Sequence, residues 1–130
     1  MAKALLFLAD GFEEVEALAT VDVLRRGGVE LTTAAAAAGC EVTGAHGIKV
    51  IADKNISEVA AIADEADAVI CPGGMPGSEN LKNSDKVINI VKDAFRKGKI
   101  VAAICAAPMV LEAAGVLKDK NFTMYPGMQN

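Results

Sequence analysis

The feature that most narrows the fold is where the short apolar runs of this chain stop. Ala4 to Leu8 ends at Asp10-Gly11, Ala68 to Cys71 runs into Pro72-Gly73-Gly74-Met75-Pro76-Gly77, and Ile100 to Ile104 ends at Cys105. Each run has the length of a strand and not of a buried helix, and each gives way to turn residues and then to helical periodicity. Buried strands alternating with helices predict an α/β fold with a doubly wound parallel sheet. The same alternation places three loops at the carboxyl ends of the strands, where open α/β sheets gather their ligands.

Helices are legible between the strands. Phe12 to Arg26 carries Val15, Leu18, Val21, Val23 and Leu24, opens with acids suited to the positive end of a helix dipole, and closes on Arg25-Arg26-Gly27-Gly28. Its apolar residues fill more than one stripe, so it is expected to pack on the sheet and on something else. Val29 to Thr33 reads as the second strand, Ala34 to Ala38 is low-complexity alanine with no assignment, and Val42 to Ala52 reads as an irregular strand or hairpin around Gly44 and Gly47. Ser84 can cap a helix over Asp85 to Lys97 with Gly98 behind it, and Ala106 to Ala114 reads as a helix with Pro108 in its first turn. A further strand begins around Phe122, and no element follows to cover it.

With 130 residues the chain suits one domain, spanning 1–130, and its 52% hydrophobic content exceeds what a typical soluble domain needs. The surplus predicts a sheet covered on both faces and a subunit interface. Net charge is −4 with scattered basic residues, which offers no footprint for nucleic acid. No apolar stretch approaches the roughly 20 residues that span a bilayer, so no membrane partner is expected. The N-terminal apolar run is cut short by Asp10 without a cleavage site, and the three cysteines form an odd set. A cytoplasmic location with free thiols is therefore expected.

Chemistry concentrates at Cys105. A thiol where a strand ends and a helix begins feels the helix dipole and nearby N–H groups, which lower a thiol pKa. Its neighbours Ala102, Ala103, Ala106 and Ala107 are small, as a tight nucleophile elbow requires. A buried structural cysteine fits the position as well, and both readings stand at this point. Gly73-Gly74 could turn backbone N–H groups toward an oxyanion, although such clusters often serve only as turns. Glu13 and Glu14 read as solvated acids of a helix start. Glu16 shares a helical face with Phe12, Ala19 and Val23 and points toward the strand end of Cys105, where a partly apolar setting would favour its protonated form. His46 is the only histidine and reads as a surface-loop residue. Cys40 and Cys71 have no metal-ligand spacing with each other or with His46, and neither a dinucleotide fingerprint nor a phosphate loop is complete, so no cofactor or metal is expected.

Taken in order, Leu8-Ala9-Asp10-Gly11-Phe12-Glu13-Glu14-Val15-Glu16, Val21-Asp22-Val23-Leu24-Arg25-Arg26, Pro72-Gly73-Gly74-Met75-Pro76-Gly77 and Val101-Ala102-Ala103-Ile104-Cys105-Ala106-Ala107-Pro108 resemble the ThiJ/PfpI superfamily and, within it, the protein deglycase clade that includes the Parkinson-disease protein 7. The resemblance implies a flavodoxin-like sandwich related to class I glutamine amidotransferases, and a homodimer. It implies a cofactor-independent thiol enzyme acting on small reactive carbonyls or on modified protein side chains, as a glyoxalase or deglycase. Cys105 would be the oxidisable nucleophile and Glu16 its protonated partner, with the N–H groups of Gly74 and Ala106 as the oxyanion pocket. Val15, Arg26 and His46 fall where the family forms its dimer interface. A redox sensor or chaperone using the same cysteine is the alternative.

Two departures carry meaning. Tyr125 stands where the family often has a histidine, and Ala106 follows the cysteine where the intracellular-protease branch has histidine, which disfavours a Cys-His peptidase. Cys105-Ala106-Ala107-Pro108-Met109 also lacks the Cys-x-Gly-x-Gln elbow of the amidotransferases. Family members continue beyond residue 130, so the resemblance implies a chain incomplete at its C-terminus that would associate with a second copy or with the missing segment.

Overall fold

In the computed structural model, which describes residues 2–116, the first strand sets the architecture. Along β1 (Lys3–Leu8) successive side chains point to opposite faces, and both sets are apolar. Leu5, Phe7 and Ala9 enter one core cluster, while Ala4, Leu6 and Leu8 enter another. A strand buried on both faces belongs inside a parallel sheet with cover on each side.

The elements that follow are α1 (Glu14–Arg26), β2 (Glu30–Ala35), β3 (Glu41–Thr43), β4 (Lys49–Ile51), β5 (Lys54–Asn55), a 3-10 turn at Ile56–Glu58, α2 (Ala60–Glu65), β6 (Ala68–Cys71), α3 (Gly77–Lys82), α4 (Asp85–Arg96), β7 (Ile100–Ala103) and α5 (Pro108–Ala113). Five strands form one sheet in the order β5-β2-β1-β6-β7, with every pair parallel, and β3 and β4 make a separate antiparallel hairpin. The α/β expectation holds: a central parallel sheet lies between helices. Leu81 of α3, Val87 and Val91 of α4 and Val110 of α5 pack against one face. Phe12 of the loop before α1, Ala17 and Leu18 of α1 and Val42 of the hairpin pack against the other.

Local signals set the helix ends. The Ser84 hydroxyl accepts the Val87 N–H at the start of α4, and Gly98 takes the left-handed φ of +75° that closes it. Several expectations are corrected. The second strand starts at Glu30 and runs on through Ala35, so the alanine tract opens as strand. β7 ends at Ala103 and is the sheet edge among the described residues; Ile100 and Ile104 are therefore exposed and not core residues. The last helix starts at Pro108 because Cys105 to Ala107 form a turn. The strand expected around Phe122 and the position of Tyr125 lie outside the described residues.

Candidate active site

β2 and β6 flank β1 on opposite sides, so the loops leaving the carboxyl ends of β1 and β6 diverge there and open a crevice at the switch in strand order. Cys105 follows the neighbouring β7. Its φ of 60° is the only positive value at a non-glycine residue among the described residues. L-residues reach this region at a cost of about 1–2 kcal/mol, and they persist there when the surroundings over-determine them. Those surroundings are a hydrogen bond from the Ile104 N–H to the Cys71 carbonyl (3.2 Å), another from the Ala107 N–H to the Ile104 carbonyl (2.9 Å), and the buried Ala106, Ala107 and Pro108. The thiol itself is half-buried.

Glu16 reaches this thiol from α1. Its Oε1 accepts the Gly73 N–H at 2.9 Å, and its own N–H donates to Glu13 Oε2 at 2.9 Å, which caps the helix. Gly73 is the partition between the two groups: a Cβ there would lie 2.4 Å from Glu16 Oε1 and 2.8 Å from the Cys105 Cβ. Only glycine lets carboxylate and thiol close around one backbone amide. The Cys105 pKa is raised, first by burial, then by the negative charge of Glu16 and by its hydrogen bond, against a hydrogen bond from the Ala106 N–H that lowers it. This reverses the direction expected from a helix dipole. α5 has only six residues, too short for a strong dipole, and a carboxylate stands closer.

The loops around the site interlock through glycines. A Cβ on Gly11 (φ +88°) would meet the Pro76 and Gly77 nitrogens at 2.7 and 2.8 Å, and one on Gly74 (φ +97°) would meet the Glu13 nitrogen at 2.4 Å. The backbones are bonded where they touch, with the Glu13 N–H on the Gly73 carbonyl (2.9 Å) and the Gly77 N–H on the Gly11 carbonyl (3.1 Å). The Met75–Pro76 peptide in this loop is cis. The β3–β4 hairpin is tied to the loop after β1 by the Gly11 N–H on the Thr43 carbonyl and the Ala45 N–H on the Phe12 carbonyl, both 2.8 Å.

Glu14 departs from its expected role. It is 5% exposed, not solvated. The hairpin turn covers it: its Oε2 accepts the His46 N–H (2.8 Å) and the Ile48 N–H (3.2 Å), and its Oε1 lies 2.9 Å from His46 Nδ1. Burial pushes the carboxyl upward, but the His46 imidazole and then the backbone N–H groups outweigh it and hold the pKa at about 2. The His46 pKa is raised, chiefly by its hydrogen bond to Glu14. Composition could not reveal this pairing, because it joins a helix start to a turn 32 residues away.

The structure thus brings Cys105, Glu16 and Gly73 together, with Gly74 and Ala106 on the adjoining backbone. Val15 and Arg26 lie elsewhere on α1. Val15 is 72% exposed, Ala19 and Val23 continue an exposed apolar stripe, and Arg26 pairs with Asp22 at 2.8 Å. The apolar face expected around the Glu16 carboxyl is therefore largely exposed, and the contacts that hold that carboxyl are polar. Among the described residues no helix is long and apolar enough to cross a membrane.

The DJ-1/PfpI family model matches residues 2–130. The chain is 42% identical over 124 residues to protein DJ-1 homolog A of Arabidopsis thaliana, covering 94% of this chain and 31% of that one. It is 38% identical over 128 residues to a protein of Pyrococcus abyssi named as a deglycase, covering 98% of this chain and 75% of that one. The solved structure of oxidized Toxoplasma gondii DJ-1 superposes with a TM-score of 0.90 at 38% identity, over 97% of this chain and 68% of that one. This chain thus spans about a third of the length of its plant relative. With the elbow cysteine, the carboxylate facing it and the parallel sheet that positions both, the chain belongs to the DJ-1/PfpI family.

Proposed function

We propose that the whole protein is a cofactor-independent thiol enzyme for small reactive carbonyls or for the adducts they leave on protein side chains. The observation that carries this reading is the Cys105–Gly73–Glu16 arrangement: a nucleophile in a left-handed turn with a carboxylate across one glycine. The relative named as a deglycase supports the substrate class.

With methylglyoxal, the Cys105 sulfur adds to the aldehyde carbon, and the carbonyl oxygen takes a proton to give a hemithioacetal. The N–H groups of Gly74 and Ala106 would stabilise the developing oxyanion. Glu16 removes the hydrogen on the former aldehyde carbon as a proton and returns it to the adjacent carbonyl carbon, which leaves a lactoyl thioester. Water then cleaves the carbon–sulfur bond, lactate departs and the thiol is restored. The balance is methylglyoxal plus water to lactate, with no external oxidant. The Glu16 carboxylate that carries this proton is also the charge that opposes ionisation of the thiol.

The reading extends to a cytoplasmic homodimer that meets its copy through the α1 stripe of Val15 and Val23, with Arg26 at its end. The Toxoplasma gondii relative, solved in an oxidized state, favours a second reading, a redox sensor whose Cys105 becomes sulfinic. Incubation of the protein with methylglyoxal separates the two. Lactate released over many turnovers, lost in Cys105→Ser and reduced by about 10²-fold in Glu16→Gln, is expected of the enzyme. One stoichiometric adduct without lactate overturns it in favour of the sensor.

A further inference from the structure

Away from the thiol, the molecule shuts one carboxylate out of water and gives it an exposed histidine as counter-charge. Glu14 is 5% exposed, whereas the His46 side chain is 70% exposed. A buried carboxylate is costly unless it is paired, so this contact carries weight in the fold. Its other half is the one side chain whose ordinary pKa lies near neutrality.

The contact joins two elements. Glu14 opens α1, and His46 lies on the turn between β3 and β4. Glu14 Oε2 takes the His46 and Ile48 N–H groups of that turn, and Oε1 lies against His46 Nδ1. Gly44 lets the turn settle this close, since a Cβ there would fall 2.3 Å from Glu14 Cδ. Two backbone bonds fasten the same turn to the loop before α1, from the Gly11 N–H to the Thr43 carbonyl and from the Ala45 N–H to the Phe12 carbonyl. Those bonds are neutral and indifferent to pH; the Glu14–His46 contact is not. What the turn fastens is the stretch that leads to the thiol, because Glu13 Oε2 caps the Glu16 N–H at 2.9 Å.

The charged groups that face the ring are Glu14 at 2.9 Å and Glu13 at 3.6 Å, both from the start of α1. On the hairpin itself Lys49 and Glu41 pair with each other at 3.5 Å, and Asp10 of the loop after β1 takes the Thr43 N–H at 3.0 Å. Two carboxylates against one imidazole favour its charged form. We propose that Glu14 and His46 form a pH-sensitive latch, which fastens the hairpin turn over the start of α1 while the imidazole is charged and loosens as the proton leaves. A neutral ring can still donate from Nδ1, so the latch weakens and does not spring open.

The sign follows from both partners. A His46 pKa raised by Glu14 adds stability that is complete below the free value of 6.5 and is lost as pH rises through the raised value. The Glu14 carboxyl, held at about 2, adds stability that is present above its free value of 4.5 and is lost as pH falls toward 2. The latch is therefore tightest between 4.5 and 6.5, and mild acidification firms the wall that carries Glu16.

His46 is the only histidine in the sequence, so its ring can be followed by NMR without ambiguity. In the parent protein the Cε1–H resonance should titrate above 6.5, and the Ile48 and Gly11 amide resonances should titrate with it while that of Val91 in α4 stays still. In His46→Gln, which keeps a donor but has no charge to lose, the Ile48 and Gly11 resonances should no longer titrate. Urea unfolding at one protein concentration supplies the energetic reading. The parent's advantage over His46→Gln, taken as the ratio of folding equilibrium constants, should be at least about threefold larger at pH 6 than at pH 8. A ring that titrates at or below 6.5 in the parent, amide resonances that titrate alike in parent and variant, or an advantage equal at both pH values overturns the proposal. The ring titration needs no variant, so it decides the matter even if His46→Gln misfolds.

Discussion

The negative charge of Glu16 opposes ionisation of the Cys105 thiol, and that opposition is measurable. The thiol pKa lies above its ordinary 9.0, so the thiolate is scarce at neutral pH and alkylation should climb as pH rises through 9 and beyond. Glu16→Gln removes the charge that opposes ionisation, and the curve of rate against pH should move to lower pH. Iodoacetamide labelling followed by mass spectrometry checks both points. An unshifted curve would show that Glu16 does not act on the thiol. Cys71 supplies the contrast. It is fully buried with its pKa pushed up to about 12, and it should stay unlabelled in the native protein while Cys105 reacts. The position of Cys105 is legible in the sequence because small residues around a strand end are a local pattern. The direction of its pKa is not, since that depends on a carboxylate brought in from α1.

Among the elements, the loops depend on glycine for two different reasons that mutation can separate. Gly74→Ala would set a Cβ 2.4 Å from the Glu13 nitrogen at a φ of +97°, against backbone that cannot move aside. Strain and overlap together should cost roughly 2–5 kcal/mol in urea unfolding. Gly28 has a similar φ of +89° but no atom within 4 Å of its would-be Cβ, so Gly28→Ala should cost only about 1 kcal/mol. Equal losses would refute the steric account. Ser84→Ala should cost about 1 kcal/mol by removing the cap of α4. That helix is readable from the sequence to within a residue because its cap, apolar spacing and closing glycine are all local. α2 and α3 are not, because each has six residues and no side-chain cap, and only packing holds them. The burial of Glu14 is hidden for a related reason. Nothing within a turn of it in sequence says that a hairpin will cover it.

For the whole molecule, the parallel sheet follows from apolar runs alone, and what lies against α1 does not. Val15 and Val23, 72% and 64% exposed on one stripe, are proposed to meet a second copy. Val15→Glu combined with Val23→Glu should convert a dimer to a monomer in sedimentation velocity while leaving the far-UV circular dichroism unchanged. A parent protein that already sediments as a monomer would remove the proposed interface. The glycine interlock bears on motion at this same scale. The loop after β1 meets the loop after β6 at Gly11 and Gly74 and shares backbone hydrogen bonds with it and with the hairpin turn, whose Gly44 packs on the Glu14 side chain. None of the three can lift away without dragging or breaking the others. Their amide protons should therefore exchange with solvent at one shared rate, as a single cooperative unit whose opening bares both walls of the thiol crevice at once.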